Sequence, residues 1–302
     1  MANLRDLRLR MRAIQQTLQV TKAMDLISTA KLRKGRRLLL DMEPYFTRIQ
    51  KLMYDLLSGA RMEKSIFFEG SRFDSSKIRT QQLPGRTAIV AISSDKGLAG
   101  GYNTNIYRHV NELCSQVKNP VLIIVGASAY KHFVHSQWLV LENYIFHSRL
   151  PDLDDAKTIA DYLLSQYLSG MFDEVHIVYT HMYSTVKILP RDLQVLPLNE
   201  NKIQEEFQEI GEERREIDFE YWPSTKVVFD SLVPMYVKGI IYSCLIEAYA
   251  SEQKERMTAM DEASKNAEEM LTKLHILYNR TRQAGITQEM TEIVGGSEAL
   301  KN

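Results

Sequence analysis

Cysteine is scarce in this chain of 302 residues, with only Cys114 and Cys244 present. A disulfide framework and a cysteine-rich metal site are therefore excluded, and a reducing compartment is the simplest reading. Proline is missing from the first 43 residues and from the last 68, and residues 240–284 hold neither proline nor glycine. Proline costs a helix interior about 3 kcal/mol and glycine about 1, so these stretches are free to form very long helices. Net charge is missing as well, because 38 Lys and Arg balance 38 Asp and Glu. That argues against a nucleic-acid coat or an acidic tail protein, although local patches remain open. No apolar run reaches the roughly 20 residues of a membrane span. The longest is Pro120 to Ala127, and the stretch Gly239 to Ala250 is interrupted by Glu247. The N-terminus has no apolar block of the secretory kind. Its first 40 residues carry ten basic and two acidic side chains, superficially like an organelle transit peptide, but their spacing is that of a structural helix.

The residues that are present support an ordinary folded protein, 44% hydrophobic and 25% charged. Leu4, Leu7, Met11, Ile14, Leu18 and Thr21 step by three and four. The stripe then drifts through Val20, Met24 and Ile27 and resumes at Met42, Tyr45, Ile49, Leu52 and Leu56. Met257, Met260, Ser264, Ala267, Leu271, Leu274, Tyr278 and Thr281 form a second series of the same period. Both read as coiled-coil seams, whose small and polar members allow close approach and limit sliding. Asn3 is the expected cap of the first helix, Pro234 the expected opening of the last, and Gly295-Gly296 its fraying end. Helices of 55–60 residues would run roughly 80–90 Å. The rest of the chain is too small to sheathe them, so a rod projecting from a globular body is expected.

Between the helices lies an α/β pattern. Thr87–Ser93, Pro120–Gly126, Leu139–Phe146, Glu174–Tyr183 and Val186–Pro197 read as strands, and Asn103–Val117 and Asp154–Ser169 as helices. This predicts a mostly parallel sheet with flanking helices. Residues 200–220, with nine acidic and three basic groups, read as a solvated connection. The expected organisation is an N-terminal coiled-coil helix over 1–57, a connecting segment over 58–85, an α/β domain over 86–222 and a C-terminal coiled-coil helix over 223–302, pairing with the first.

Catalytic signatures are missing too. Ser93 to Gly101 (SSDKGLAGG) follows a strand and precedes a helix, where backbone amides can hold phosphate. It contains neither the P-loop pattern nor GxGxxG, and a tight turn of small residues explains it better. A nucleotide-binding enzyme with a helical arm stands as one alternative on the strength of this loop. His132 and His135 lack a third ligand at metal spacing, and no GxSxG elbow occurs. No catalytic residue, cofactor or metal is assigned. Lys31, Arg33, Lys34, Arg36 and Arg37 cluster on the first helix. They admit a nucleic-acid reading, without an aromatic platform to support it, or a face matched to an acidic protein surface.

Three segments carry a resemblance: LRLRMRAIQQTLQVTKAMDLISTAKLRKG at 7–35, SSDKGLAGGYN at 93–103, and ASEQKERMTAMDEASKNAEEMLTKLHILYNRTRQAGITQEMTEIVGGSEAL at 250–300. In order and spacing they resemble the gamma subunit of F-type ATP synthase. Residues 130–230 add little to the resemblance. It implies a central rotor shaft, an antiparallel left-handed coiled coil of the terminal helices with an α/β domain at its foot. It implies no catalytic role for the chain itself, which couples ion-driven rotation of a c-ring to the nucleotide-binding states of three beta subunits. The implied partners are the alpha and beta subunits of the catalytic hexamer, the epsilon subunit and the c-ring, with no nucleic acid and with membrane contact only through the c-ring. The implied location is the cytoplasmic face of a bacterial inner or plasma membrane, as a peripheral subunit. The resemblance also implies that Arg282, Gln283, Thr287 and Glu289 contact a beta subunit, with Arg256 and Met24 as further contacts. From spacing alone Met24 is equally a seam residue, and Arg282 an exposed cation near a helix end. Lys31, Arg33, Lys34, Phe219 and Tyr221 are the candidates for contact near the c-ring or membrane. Ile286, Met290, Ile293, Val294 and Leu300 are expected to turn in an apolar sleeve, where non-directional contacts vary little with angle. Ala99 stands where many members have cysteine, and Gly285 where many have alanine or serine. The regulatory paired-cysteine insertion of chloroplast forms is not in this sequence, which favours a bacterial origin.

Overall fold

A computed structural model describes residues 4–58, 65–68, 85–145, 149–184, 187–199 and 221–299. Among the described residues five helices and five strands follow in the order α1 (Leu4–Ser58), β1 (Thr87–Ile92), α2 (Tyr102–Gln116), β2 (Pro120–Val125), α3 (Ala127–Phe133), β3 (Leu139–Tyr144), α4 (Leu153–Leu168), β4 (Glu174–Met182), β5 (Ile188–Leu196) and α5 (Thr225–Ala299). The chain divides into two compact units. One comprises Met1–Ala30 with Arg256–Asn302, and the other Lys31–Glu255.

In the larger unit the strands form one sheet in the order β3-β2-β1-β4-β5. The pairs β1–β2, β1–β4 and β2–β3 are parallel, and β5 returns antiparallel to β4. Strands buried on both faces need apolar residues at nearly every position, and TAIVAI and PVLIIV supply them. Ala88, Val90 and Ile92 point to one face, with Val121, Ile123, Val125, Val175 and Ile177, against α4 and the parts of α1 and α5 that belong to this unit. Ile89, Ala91, Leu122, Ile124 and Val178 point to the other face, against Ile106 and Val110 of α2 and Phe133 of α3. The mostly parallel sheet with flanking helices is thus what the sequence pattern predicts.

The α5 helix differs from the expectation at both ends. It opens at Thr225, where the Ser224 hydroxyl accepts a hydrogen bond from the Val227 amide at 3.3 Å, the work of an N-cap. Pro234 therefore lies inside the helix. Its missing N–H is tolerated because Phe229, Val233, Tyr236 and Val237 around it are buried against the sheet and α1, where burying each large side chain contributes about 1.5–3 kcal/mol. Gly295 and Gly296 do not end the helix, which continues to Ala299. The expected cap Asn3 and the acidic connection at 200–220 fall outside the described residues.

Among the described residues α5 alone is long and apolar enough to cross a membrane by length and composition. Its apolar residues from Phe229 to Ala248 are instead packed into the core of the larger unit. The α1 and α5 helices pass close together there, since a methyl added at Gly35 would lie in van der Waals contact with Ala250 Cβ and Tyr249, both at 3.4 Å. Both cysteines are buried. Burial pushes the Cys114 thiol up to about 12 and also raises that of Cys244, so neither is an available thiolate at neutral pH.

Candidate functional site

The smaller unit is a pair of helical segments. On α1 the inward positions are Leu4, Leu7, Met11, Ile14, Leu18, Thr21, Met24 and Ser28. On α5 they are Arg256, Met260, Ser264, Ala267, Leu271, Leu274, Tyr278 and Thr281. Three cross-contacts fix an antiparallel register. The Arg8 guanidinium donates to Tyr278 Oη at 3.0 and 2.7 Å and lies 5.4 Å from the ring centre. Ser264 Oγ donates to Thr21 Oγ1 at 2.8 Å, and Lys22 Nζ meets Glu268 at 2.6 Å. The Lys22 pair is exposed at both ends and contributes little. The Thr21–Ser264 pair is buried, and Thr21 passes its own proton to the Leu18 carbonyl at 3.1 Å. A buried polar pair in an apolar seam disfavours other registers. Thr21→Val would leave the Ser264 hydroxyl without its acceptor. The expected cost is about 1–3 kcal/mol, read as an earlier midpoint in urea unfolding followed by helical circular dichroism.

The seam corrects one expectation. Val20 and Ile27 are exposed, not part of a drifting stripe. The 3–4 period continues through Met24, which is half-buried, to the fully buried Ser28. Ser28 was missed because a serine carries no apolar signal. Its only trace in the sequence is its spacing of seven from Thr21.

Arg282, Gln283, Thr287 and Glu289 all lie exposed on the late turns of α5. Thr287 returns its hydroxyl to the Gln283 carbonyl at 3.0 Å, so Arg282, Gln283 and Glu289 carry the outward polar chemistry there. Ile286, Met290, Ile293 and Val294 share this exposure, and Leu300 lies outside the described residues. Arg256 is in the same unit but buried, at 8% exposure, and offers little surface to a partner. Leu9, Leu26, Ile276 and Leu277 are exposed apolar residues that the sequence reading did not select, and Val20 and Ile27 join them on the outer surface. They are recognisable only as apolar residues outside the seam register. Arg10, Ala13, Ile14, Met270, Lys273 and Leu274 line an open groove of about 420 Å³ in this unit. Exposed apolar residues next to an open groove suit coverage by a partner.

The foot candidates belong to the larger unit. Lys31 is half-buried, and Arg33 and Lys34 are exposed. Tyr221 is half-buried against the core, and burial, with the Asp55 charge second, raises its hydroxyl pKa. The neighbouring Trp222 is 89% exposed, and Phe219 lies outside the described residues. Around the glycine-rich loop three backbone amides already have side-chain acceptors. Asn103 accepts from the Ser94 amide at 3.1 Å, Asp95 accepts from the Ala127 amide at 2.9 Å, and Ser93 Oγ accepts from the Ala129 amide at 3.1 Å. A carboxylate at the opening of α3 repels an anion, which supports reading the loop as a structural turn. His132 stacks on Tyr107 at 4.2 Å, and among the described residues no cluster of three His, Cys, Asp or Glu is arranged to hold a metal ion.

The family model described as ATP synthase matches residues 3–300. The ATP synthase gamma chain of Acetivibrio thermocellus is 38% identical over 303 residues, covering 100% of each chain. This chain belongs to the ATP synthase gamma-chain family. A gamma chain is one subunit of that membrane-associated enzyme. A sodium-ion-specific ATP synthase gamma chain of Acetobacterium woodii is 34% identical over 309 residues, covering 99% of each. The fold of this gamma chain matches a chain in a structure of the Euglena gracilis mitochondrial ATP synthase, with a TM-score of 0.63 at 17% identity, over 98% of this chain and 94% of that one. A chain of the Tetrahymena thermophila central stalk and c-ring structure matches at a TM-score of 0.57 and 21% identity, over 81% of this chain and 99% of that one.

Proposed function

We propose that this gamma chain is the central rotor stalk of a bacterial F-type ATP synthase. In this reading it couples ion-driven rotation of a c-ring to conformational cycling of the beta-subunit sites. The observation that carries the mechanical part is the antiparallel helix pair of the smaller unit, closed by its own seam yet carrying exposed apolar residues on its outer surface. A near-threefold ring of sites around a shaft without threefold symmetry meets a different surface at each site. Each site's conformational equilibrium is then biased differently. Rotation exchanges those biases, so nucleotide is bound and released without any catalytic group on the shaft. The chain is non-catalytic in this account.

The exposed Ile286, Met290, Ile293 and Val294 suit a sleeve of alpha and beta subunits, because apolar contact has no preferred angle. Arg282 and Gln283 supply directional contacts that define resting angles, and a guanidinium is suited to a two-pronged bond with a beta-subunit carboxylate. Glu289 lies about two turns further along α5, and Met24, next to the Thr21–Ser264 pair, offers a separate contact further down the helix pair. The foot, with Lys31, Arg33, Lys34 and Tyr221, faces the epsilon subunit and the c-ring on the cytoplasmic face of the membrane. Co-expression with bacterial alpha and beta subunits tests the reading. A nucleotide-hydrolysing complex containing all three chains is expected, and hydrolysis by this chain alone, or a hydrolytic complex that excludes it, would overturn it. Arg282→Ala should leave the isolated chain's helicity and melting unchanged while lowering coupled turnover of the complex by about tenfold or less, the loss of one charge-assisted contact. Unchanged turnover would remove Arg282 from the contact.

A further inference from the structure

Glu247 is the one charged residue in the apolar run from Gly239 to Ala250, and the rotor reading does not use it. It is largely buried in the larger unit. Its Oε1 accepts from the Met182 amide at 3.2 Å and lies 2.6 Å from His181 Nδ1, within ion-pair distance. The adjoining residues of the same turn are also held by polar contacts. The Tyr102 hydroxyl, from α2, donates to the Ala248 carbonyl at 3.2 Å, and Ser251 Oγ donates to the Thr180 carbonyl of β4 at 3.0 Å. One turn of α5 is thus tied to two other elements by directional bonds. Earlier on the helix Ser65 Oγ donates to Asp230 at 2.6 Å and Lys238 meets Asp161 at 2.9 Å, single contacts to partly exposed side chains, while the buried face from Phe229 to Leu245 is apolar.

The distinction matters for a rotor. The hydrophobic effect is non-directional, so it defines the axial angle of a helix less sharply than directional bonds do. Hydrogen bonds and ion pairs lose strength steeply when bent, so they fix the axial angle. We propose that the 247–251 turn is the torsional clamp of the rotor, the place where torque enters α5 from the α/β unit. Because α5 is one helix from Thr225 to Ala299, an angle set at this turn is carried along its hydrogen-bonded backbone. Glu247 and Ser251 are positioning residues in this account. The inference rests on the rotor reading above.

The test uses the whole ATP synthase reconstituted in vesicles. The triple variant Tyr102→Phe/Glu247→Leu/Ser251→Ala removes the polar ties and keeps the bulk. ATP hydrolysis and ATP-driven ion uptake are measured together, and the angular fluctuation of a bead fixed to the stalled rotor is recorded. The expected result is retained hydrolysis, uptake per ATP reduced about twofold or more, and a correspondingly broader angular distribution. Glu247→Gln keeps an oxygen for the Met182 amide and should retain most of the wild-type uptake ratio. Wild-type uptake ratio and angular spread in the triple variant would overturn the clamp. If the triple variant does not assemble, Tyr102→Phe and Ser251→Ala each remove one bond, and wild-type spread in both overturns it equally. Failure of the wild-type complex to take up ions would instead count against the rotor reading.

Discussion

Val237→Asp will leave the larger unit unable to fold. Val237 has no exposed surface and sits on the face of α5 that meets the sheet and α1. A carboxylate there has no water to solvate it and meets a neighbourhood of Val233, Ile240 and Ile241. Burying an unpaired polar or charged group costs several kcal/mol, while a whole protein is stable by only about 5–15 kcal/mol. The lost valine packing adds to that. Soluble expression and the near-ultraviolet circular dichroism of the recovered chain are the measurements. The expected outcome is inclusion bodies or a chain without fixed tertiary signal, and a soluble, cooperatively melting variant would show that α5 does not pack there. Val227→Asp is the matched control. Val227 lies nearly three turns earlier on the same helix and is 51% exposed, so its change should be close to neutral.

The second large effect concerns backbone shape. Gly126 ends β2 with φ at +104°, and a Cβ added there would lie 2.5 Å from the Ser93 carbonyl oxygen. Its amide donates to the Tyr144 carbonyl at 2.8 Å, which ties β3 to β2 beyond the paired strands. Gly126→Ala therefore combines a backbone conformation that costs a side chain roughly 1–3 kcal/mol with a steric clash against another backbone atom. A fall in Tm of at least about 5 °C is expected for a unit of this size. Gly97→Ala, in the neighbouring loop, meets nothing within 4 Å and has no positive φ, so it should melt within a degree or two of wild type. Equal melting of the two variants would show that the β2–α3 turn is not built as described.

The parts of the fold that were legible are those where one physical demand dominates. TAIVAI and PVLIIV read as buried strands because both of their faces must be apolar. The seam from Leu4 to Leu18 and the series from Met260 to Thr281 read as helix contacts because the period repeats. Reading failed where a residue's role depends on distant partners. Pro234 looked like a helix start because local propensity says so, and tertiary burial overrides it. Val20 and Ile27 looked like seam members because they are apolar, yet Ser28 takes the inward position. At the site, the exposed late turns of α5 were legible through their resemblance to a family. The concealment of Arg256 was not legible, because an arginine in ERMTAM has the same spacing whether its guanidinium is covered or open.

The seclusion of Cys114 and Cys244 has a practical consequence for watching this molecule work. Both native thiols lie in the core with their ionisation suppressed. A maleimide dye or biotin will therefore find a single handle wherever one new cysteine is placed on the outer surface, for example at Lys265, which is well exposed. The chain comes already prepared for optical tracking, with no need to strip its own sulfurs first.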